Sequence, residues 1–234
     1  MAKDFELETY LKILPYELGI YLFDKKELNI QYKEEINLNN KSELIDLNIL
    51  NNFLEKNIYK IEKLTGTFIK NIFLVIESDQ NFHINISLKR KNYDKNINRQ
   101  YLEKILTEAK DLFKENYKEY QIMHMIINKY ILNEESYSKL KTNLISDHIS
   151  LEVNFICIPK KLSSDIDKTL EKYHIQIDRF LDSRYINSLF VNNDFDQVQK
   201  FFKVLNGYND NEVTLIPKNP HKIGFFEKFF QLFS

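Results

Sequence analysis

Apolar residues recur along the chain at two different periods, and each change of period marks a new element. Between residues 7 and 38 the period is two. Leu11 and Ile13 alternate before Pro15, then Leu18, Ile20 and Leu22 alternate with Tyr21 and Phe23. Leu28, Ile30 and Tyr32, followed by Ile36 and Leu38, mark a third run. This pattern predicts three short strands, with Asp24, Lys25 and Lys26 turning the chain between the last two. After the polar stretch Asn39–Glu43 the period lengthens. Leu47, Leu50, Leu54, Ile58 and Ile61 recur at steps of three and four, which predicts a helix from Asp46 to Thr65 with Gly66 at its end. Ile69–Glu77 contains the continuous apolar run Ile72–Ile76, expected as a strand buried on both faces.

From residue 80 to 158 the pattern forms a unit of its own. Phe82, Ile84, Ile86 and Leu88 alternate with His83, Asn85, Ser87 and Lys89. A helical segment, Asn98–Tyr117, carries Tyr101, Ile105, Ala109, Leu112 and Phe113 on one stripe. Two strands follow, Ile122–Leu132 and Ile149–Ile158, the second alternating Leu151, Val153, Phe155 and Cys157 with Glu152 and Asn154. A small strand-helix-strand-strand sheet with one helix across it is expected. Pro159 then breaks the sheet, and Ser163 or Ser164 is a candidate cap for a helix with Ile166, Leu170 and Tyr173 inside. Ile175, Ile177 and Phe180 mark another strand, and Ser183–Phe190 a short helix. These flanking elements predict a mixed sheet with helices packed on it.

The remainder divides in two. Phe195, Val198, Phe201, Phe202 and Leu205 predict one more amphipathic helix, and Gly207–Ile223, with Pro217, Pro220 and several Asn, is expected as a mobile linker. Residues 191–223 are thus a helix plus linker. The closing residues 224–234 hold five phenylalanines. Wound as a helix at about 100° per residue, they place Phe225, Phe226, Phe229, Phe230, Leu232 and Phe233 on one half of the circumference. Glu227, Lys228, Gln231 and Ser234 take the other half. Such a helix is too short to span a bilayer but suits its interface, with Lys228 and Lys222 beside the aromatic face for anionic headgroups. One copy is expected to bind weakly and reversibly, and an array of copies firmly.

Composition narrows the options. A formal net charge of -1 argues against a nucleic-acid binder, and the basic run Lys89-Arg90-Lys91 is expected to be a solvated sheet edge. The single Cys157 shares its side of the strand with Val153 and Phe155 and is expected in the core. Acids near the N-terminus occupy the place of a signal peptide's apolar stretch, so a cytoplasmic protein is expected. Only four glycines occur, Gly19, Gly66, Gly207 and Gly224, too few for a phosphate-cradling loop. The five histidines (His83, His124, His148, His174, His221) show no metal-ligand spacing. His124, opposite Met123 and Met125, is expected to be satisfied and partly exposed. The adjacent carboxylates Glu34-Glu35 and Glu134-Glu135 point to opposite faces of their strands, which gives no acid–base pair. No catalytic residue, cofactor or metal is expected.

Several strings, in this order, resemble FtsA, the bacterial actin-like protein that ties the FtsZ ring to the membrane. Ile58–Gly66 followed by Ile69–Ile76 is similar to the helix and strand of subdomain 1A that lead into an inserted SHS2-type subdomain, 1C. Ile86–Arg90 and Ile97–Ala109 resemble that insert's first strand and long helix, Met123–Leu132 and Leu151–Cys157 its later strands, and Leu170–Ile177 the return to 1A. The resemblance implies an α+β chain: half of an actin-like fold, with 1–79 and 159–190 as the 1A-like part and 80–158 as the insert. It also implies a peripheral protein on the cytoplasmic side of the membrane, at the division site, whose partners are lipids and division-machinery proteins contacted through residues 82–158. Self-association is compatible with that role. The departures are as informative. Where the family carries an Asp-x-Gly-Thr phosphate loop this chain has Ile13-Leu-Pro-Tyr-Glu-Leu-Gly19, and no counterpart of subdomains 2A and 2B, the latter the receiver of the FtsZ tail, is recognised. No ATP binding is therefore expected, and direct contact with FtsZ is left open. The alternatives are a pilus-assembly scaffold of the PilM type, and a soluble interaction domain with its terminal helix docked on its own core.

Overall fold

The computed structural model describes residues 6–38, 46–92, 97, 99–139 and 145–213. They divide into two units. The first comprises the described part of Met1–Asn81 with Ile158–Tyr208, and the second comprises Phe82–Cys157 with the described residues from Asn209 onward.

In the first unit, β1 (Leu7–Leu14), β2 (Glu17–Asp24) and β3 (Asn29–Asn37) form an antiparallel meander. The helix α1 (Leu47–Thr65) carries the chain to β4 (Asn71–Ile76), which lies parallel to β1. Asp46 caps α1 by accepting hydrogen bonds from the Asn48 and Ile49 amides (2.9 and 3.2 Å), and Gly66 ends it at φ 69°. After the second unit come α3 (Lys160–Glu171), β9 (Gln176–Asp182), α4 (Ser183–Leu189) and α5 (Gln197–Leu205). The five strands stand in the order β3-β2-β1-β4-β9, with β9 parallel to β4.

The register assigns the helices to faces. Thr9, Leu22 and Tyr32 form one cross-strand row, and the Tyr32 hydroxyl donates to Asn57 of α1 at 2.7 Å, so α1 lies on that face, with α3 against it. Glu8 and Phe23 belong to the opposite face, where the Phe23 ring meets Phe202 (5.3 Å) and Tyr10 meets Phe201 (6.0 Å). That face therefore belongs to α5. The sheet is covered on both sides, which is why Leu74, Val75 and Ile76 are all buried.

A second row on the α5 face runs Lys12, Gly19, Glu35. A Cβ on Gly19 would sit 2.6 Å from the Tyr21 hydroxyl and 3.0 Å from Lys12 Cε, so the bare α-carbon makes room for the Lys12 stem to cross β2. Gly19→Ala is expected to lower stability by about 1–3 kcal/mol through overpacking, measurable by urea denaturation.

The second unit contains β5 (Phe82–Lys91), α2 (Arg99–Asn116), β6 (Tyr120–Leu132), β7 (Glu135–Tyr137) and β8 (His148–Pro159), in the sheet order β5-β8-β6-β7. One face packs on α2. Leu102, Ile105, Leu106, Ala109 and Phe113 cover Ile84, Leu88, Met125, Ile127, Leu151, Val153 and Phe155, and Phe113 stacks on Phe155 at 5.0 Å. Cys157 lies in this core, where burial pushes its thiol pKa up to about 12. The basic run Lys89-Arg90-Lys91 ends the edge strand β5, and the Arg90 Nε donates to Glu108 at 3.0 Å.

Several expectations need correction. The helical stripe of the second unit is turned by about one residue: Leu102 and Leu106 are buried, whereas Tyr101 and Leu112 are only half-buried. Phe82 is an exposed aromatic packed on Tyr117 and Tyr120, not a core residue. β7 is additional, formed by a tight hairpin in which Asn133 and Glu134 take positive φ (46° and 75°). Neither Ser163 nor Ser164 caps α3; the helix starts directly after Pro159, and the Ser163 hydroxyl donates to the Lys160 carbonyl inside it. The supposed linker does not begin at Gly207, because residues 211–213 pair with β6. Residues 214–223 lie outside the described residues.

Candidate functional site

The residues expected to meet lipid, Lys222, Phe225, Phe226, Lys228, Phe229, Phe230, Leu232 and Phe233, lie outside the described residues. Among the described residues no helix is long and apolar enough to cross a membrane. The structure does define the β1–β2 corner, the place to which the resemblance assigns a phosphate loop, and it assembles two polar clusters that the sequence did not foretell.

At the corner, Leu14 pairs directly with Glu17, so the turn between them is only Pro15-Tyr16. A phosphate cradle needs several backbone N–H groups converging on one point. Here proline contributes none, and the flanking residues are committed to the ladder. Just below the turn, Lys12 is 1% exposed. Its ammonium donates to Glu17 (2.7 Å), Glu35 (3.0 Å) and Gln197 (2.8 Å), which uses all three of its hydrogens. The Tyr21 hydroxyl donates to the same Glu35 carboxylate, and Lys33 adds an ion pair at 2.8 Å.

Burial by itself would raise the Glu35 pKa. Hydrogen bonds from Lys33, Tyr21 and Lys12, and the Lys12 charge, outweigh it and hold the carboxyl at about 2, against an ordinary 4.5. Burial, reinforced by Glu35, pushes the Tyr21 phenol upward. A carboxylate with a depressed native pKa contributes stability that is present above its unfolded value and disappears as pH falls through its folded value. The first unit is therefore expected to lose stability between about pH 4.5 and 2, and Glu35→Gln to flatten that loss in a series of urea titrations at stepped pH. The cluster ties β1, β2 and β3 to α5 and leaves its ammonium no spare donor.

At the C-terminal ends of β4 and β9, where open α/β sheets commonly bind ligands, polar groups pair with one another. Asp182 accepts from the Asn81 amide (2.7 Å) and caps α4 through the Tyr185 amide (2.7 Å). Arg184 bonds Glu77 (3.3 Å) and Asp79.

The second cluster belongs to the second unit. His124 is fully buried rather than partly exposed, with Nδ1 2.7 Å from Glu212 Oε1, and Glu212 itself is only 4% exposed. Glu212 arrives because residues 209–213 return to β6 as a short antiparallel edge. Ile126 stands opposite Glu212, the Ile127 amide donates to the Asn211 carbonyl (2.9 Å), and the Val213 amide donates to the Met125 carbonyl (2.8 Å). Among the described residues no group of three His, Cys, Asp or Glu side chains is placed to hold a metal ion. Neither cluster was legible as a site. The only signals were a lysine between Leu11 and Ile13 of the alternating strand and a glycine opposite it.

No protein-family model and no curated protein sequence matches the chain. Among solved structures it is similar to the PilM–PilN type IV pilus biogenesis complex, at 6% identity and a TM-score of 0.46 over 79% of this chain and 49% of that one. It is similar to the cytoplasmic domain of EpsL, an inner membrane component of the type II secretion system of Vibrio cholerae (6% identity, TM-score 0.37, covering 76% and 57%). It is also similar to a protein of actin-like ATPase fold and unknown function from Bacteroides thetaiotaomicron (12% identity, TM-score 0.32, covering 81% and 57%). The chain spans 49–57% of the length of these three structures.

Proposed function

We propose that the chain is a non-catalytic, actin-like adaptor that works at the inner face of the cytoplasmic membrane. Residues 224–234 hold it there, and its folded units gather division-machinery proteins. One observation carries the reading. A sheet ordered β3-β2-β1-β4-β9 is interrupted after β4 by a self-contained second unit, while the β1–β2 corner is closed by a two-residue turn over a saturated lysine. The order of elements is what a 1A-like body with an insert requires, and the closed corner suits a scaffold rather than an ATPase. The surface offered to protein partners is the exposed side of the second unit: the edge strand β5 with His83, Asn85, Ser87 and Lys89, and the polar outer face of α2, where Lys104, Asp111, Lys114 and Glu115 mix charges of both signs.

The test is the position of the fluorescently tagged full chain in dividing cells. A band at mid-cell supports the proposal, and a diffuse cytoplasmic signal overturns it. A second reading, a scaffold of a pilus-assembly or secretion platform, rests on the same half-fold, since the folded units carry no element peculiar to division. Membrane signal excluded from mid-cell would favour it.

A further inference from the structure

We propose that the segment Asn209–Val213 is a clasp that makes the second unit the body held against the bilayer. This rests on the reading of residues 224–234 as a lipid-binding foot, and it names which part of the protein that foot positions.

The clasp is built from several independent contacts, all within the second unit. Besides the two backbone bonds to β6, the Asn211 side-chain amide donates to the Ser138 carbonyl (2.8 Å), and Asp210 pairs with Lys139 (2.6 Å). Val213 is 8% exposed and belongs to the core that α2 closes. Glu212 and His124 bury their charged or polar ends against each other. A buried, hydrogen-bonded pair of this kind resists separation because parting it removes a hydrogen bond from groups that water does not reach. An ordinary linker contains no such pair.

The geometric consequence follows from chain length. With the clasp closed, the tether to the foot starts at Val213 and has eleven residue steps to Gly224, a contour of at most about 40 Å. With the clasp open it would start at Leu205, the end of α5 in the first unit, with a contour of about 68 Å. A body of some 80 residues is about 30 Å across. The closed clasp therefore keeps the departure point on the second unit within about 40 Å of the lipid and fixes that point at the β6–β7 edge. Glu212 and His124 act as positioning residues, touching no lipid themselves.

The experiment uses the full chain labelled with a donor fluorophore on cysteine at Ser136→Cys, an exposed position of β7, while Cys157 is buried. It is mixed with vesicles of phosphatidylethanolamine and phosphatidylglycerol carrying an acceptor lipid. Energy transfer is expected for the parent chain and expected to fall in Glu212→Lys. A second variant leaves the clasp and both units intact and inserts a Gly/Ser spacer of about ten residues after Pro217; it is expected to show the same fall. All three chains should float equally with vesicles. Equal flotation with unchanged transfer in both variants overturns the inference while leaving the lipid-binding reading in place. Failure of the parent chain to float removes that reading, and the inference falls with it.

Discussion

Replacing Lys12 with methionine is expected to lower the stability of the first unit by about 3 kcal/mol, the lower end of what removal of one partner from a buried ion pair costs. The volume is nearly conserved, so little of the loss comes from packing. It comes from what is left behind. Glu17 and Glu35 would face each other across the Gly19 row without the ammonium between them, and Gln197 of α5 would lose its 2.8 Å donor and keep only the long 3.5 Å contact from the Tyr21 hydroxyl. The lower end applies because Glu17 and Glu35 are 26% and 27% exposed, so water recovers part of their solvation, and Lys33 remains on Glu35. Urea denaturation of the single variants and of Lys12→Met with Glu35→Leu would isolate the pairwise coupling. The double variant is expected to be more stable than Lys12→Met alone, since the isolated charge is then gone. A loss below about 1 kcal/mol would mean that the cluster is a surface pair in effect and that α5 is held by its aromatic contacts alone.

The second large effect is expected at the terminal segment. Phe229→Ser with Phe230→Ser removes two of the rings on the apolar half of the proposed helix. Partial burial of each ring in the bilayer interface is worth about 1.5 kcal/mol, the low end for a phenylalanine. The pair should therefore weaken partition onto vesicles roughly 100-fold. Ser substitutions on the opposite half, at Glu227 and Gln231, should leave partition within about threefold, because those positions face water in an interfacial helix. Sedimentation with vesicles at stepped lipid concentration measures both. Equal effects on the two faces would show that the segment does not lie on lipid as an amphipathic helix.

Much of the architecture was legible in the sequence because local patterns matched tertiary roles. β1 to β3 alternate, α1 has both Asp46 and Gly66 at its ends, and the apolar run Ile72–Ile76 sits where helices cover both faces of the sheet. The misses share a different cause. Lys12 occupies an alternating position that would ordinarily face solvent, and only α5, 185 residues away, covers it. The clasp opens on Asn209, Asp210 and Asn211, residues that favour turns, and was missed because an edge pairing is held by backbone groups that no side-chain pattern reports. His124 finds its partner 88 residues later, beyond the reach of spacing arguments. At α3, Pro159 supplies a fixed φ at the boundary and starts the helix before either serine can cap it.

The account depends on a body without a fuel site being carried on lipid by its Phe-bearing end. Flotation of the full chain and of a chain ending at Ile223 on vesicles of phosphatidylethanolamine and phosphatidylglycerol tests this most directly. The full chain is predicted to rise with the vesicles and the shortened one to stay in the dense fraction. Flotation of both to the same extent, or of neither, would contradict it.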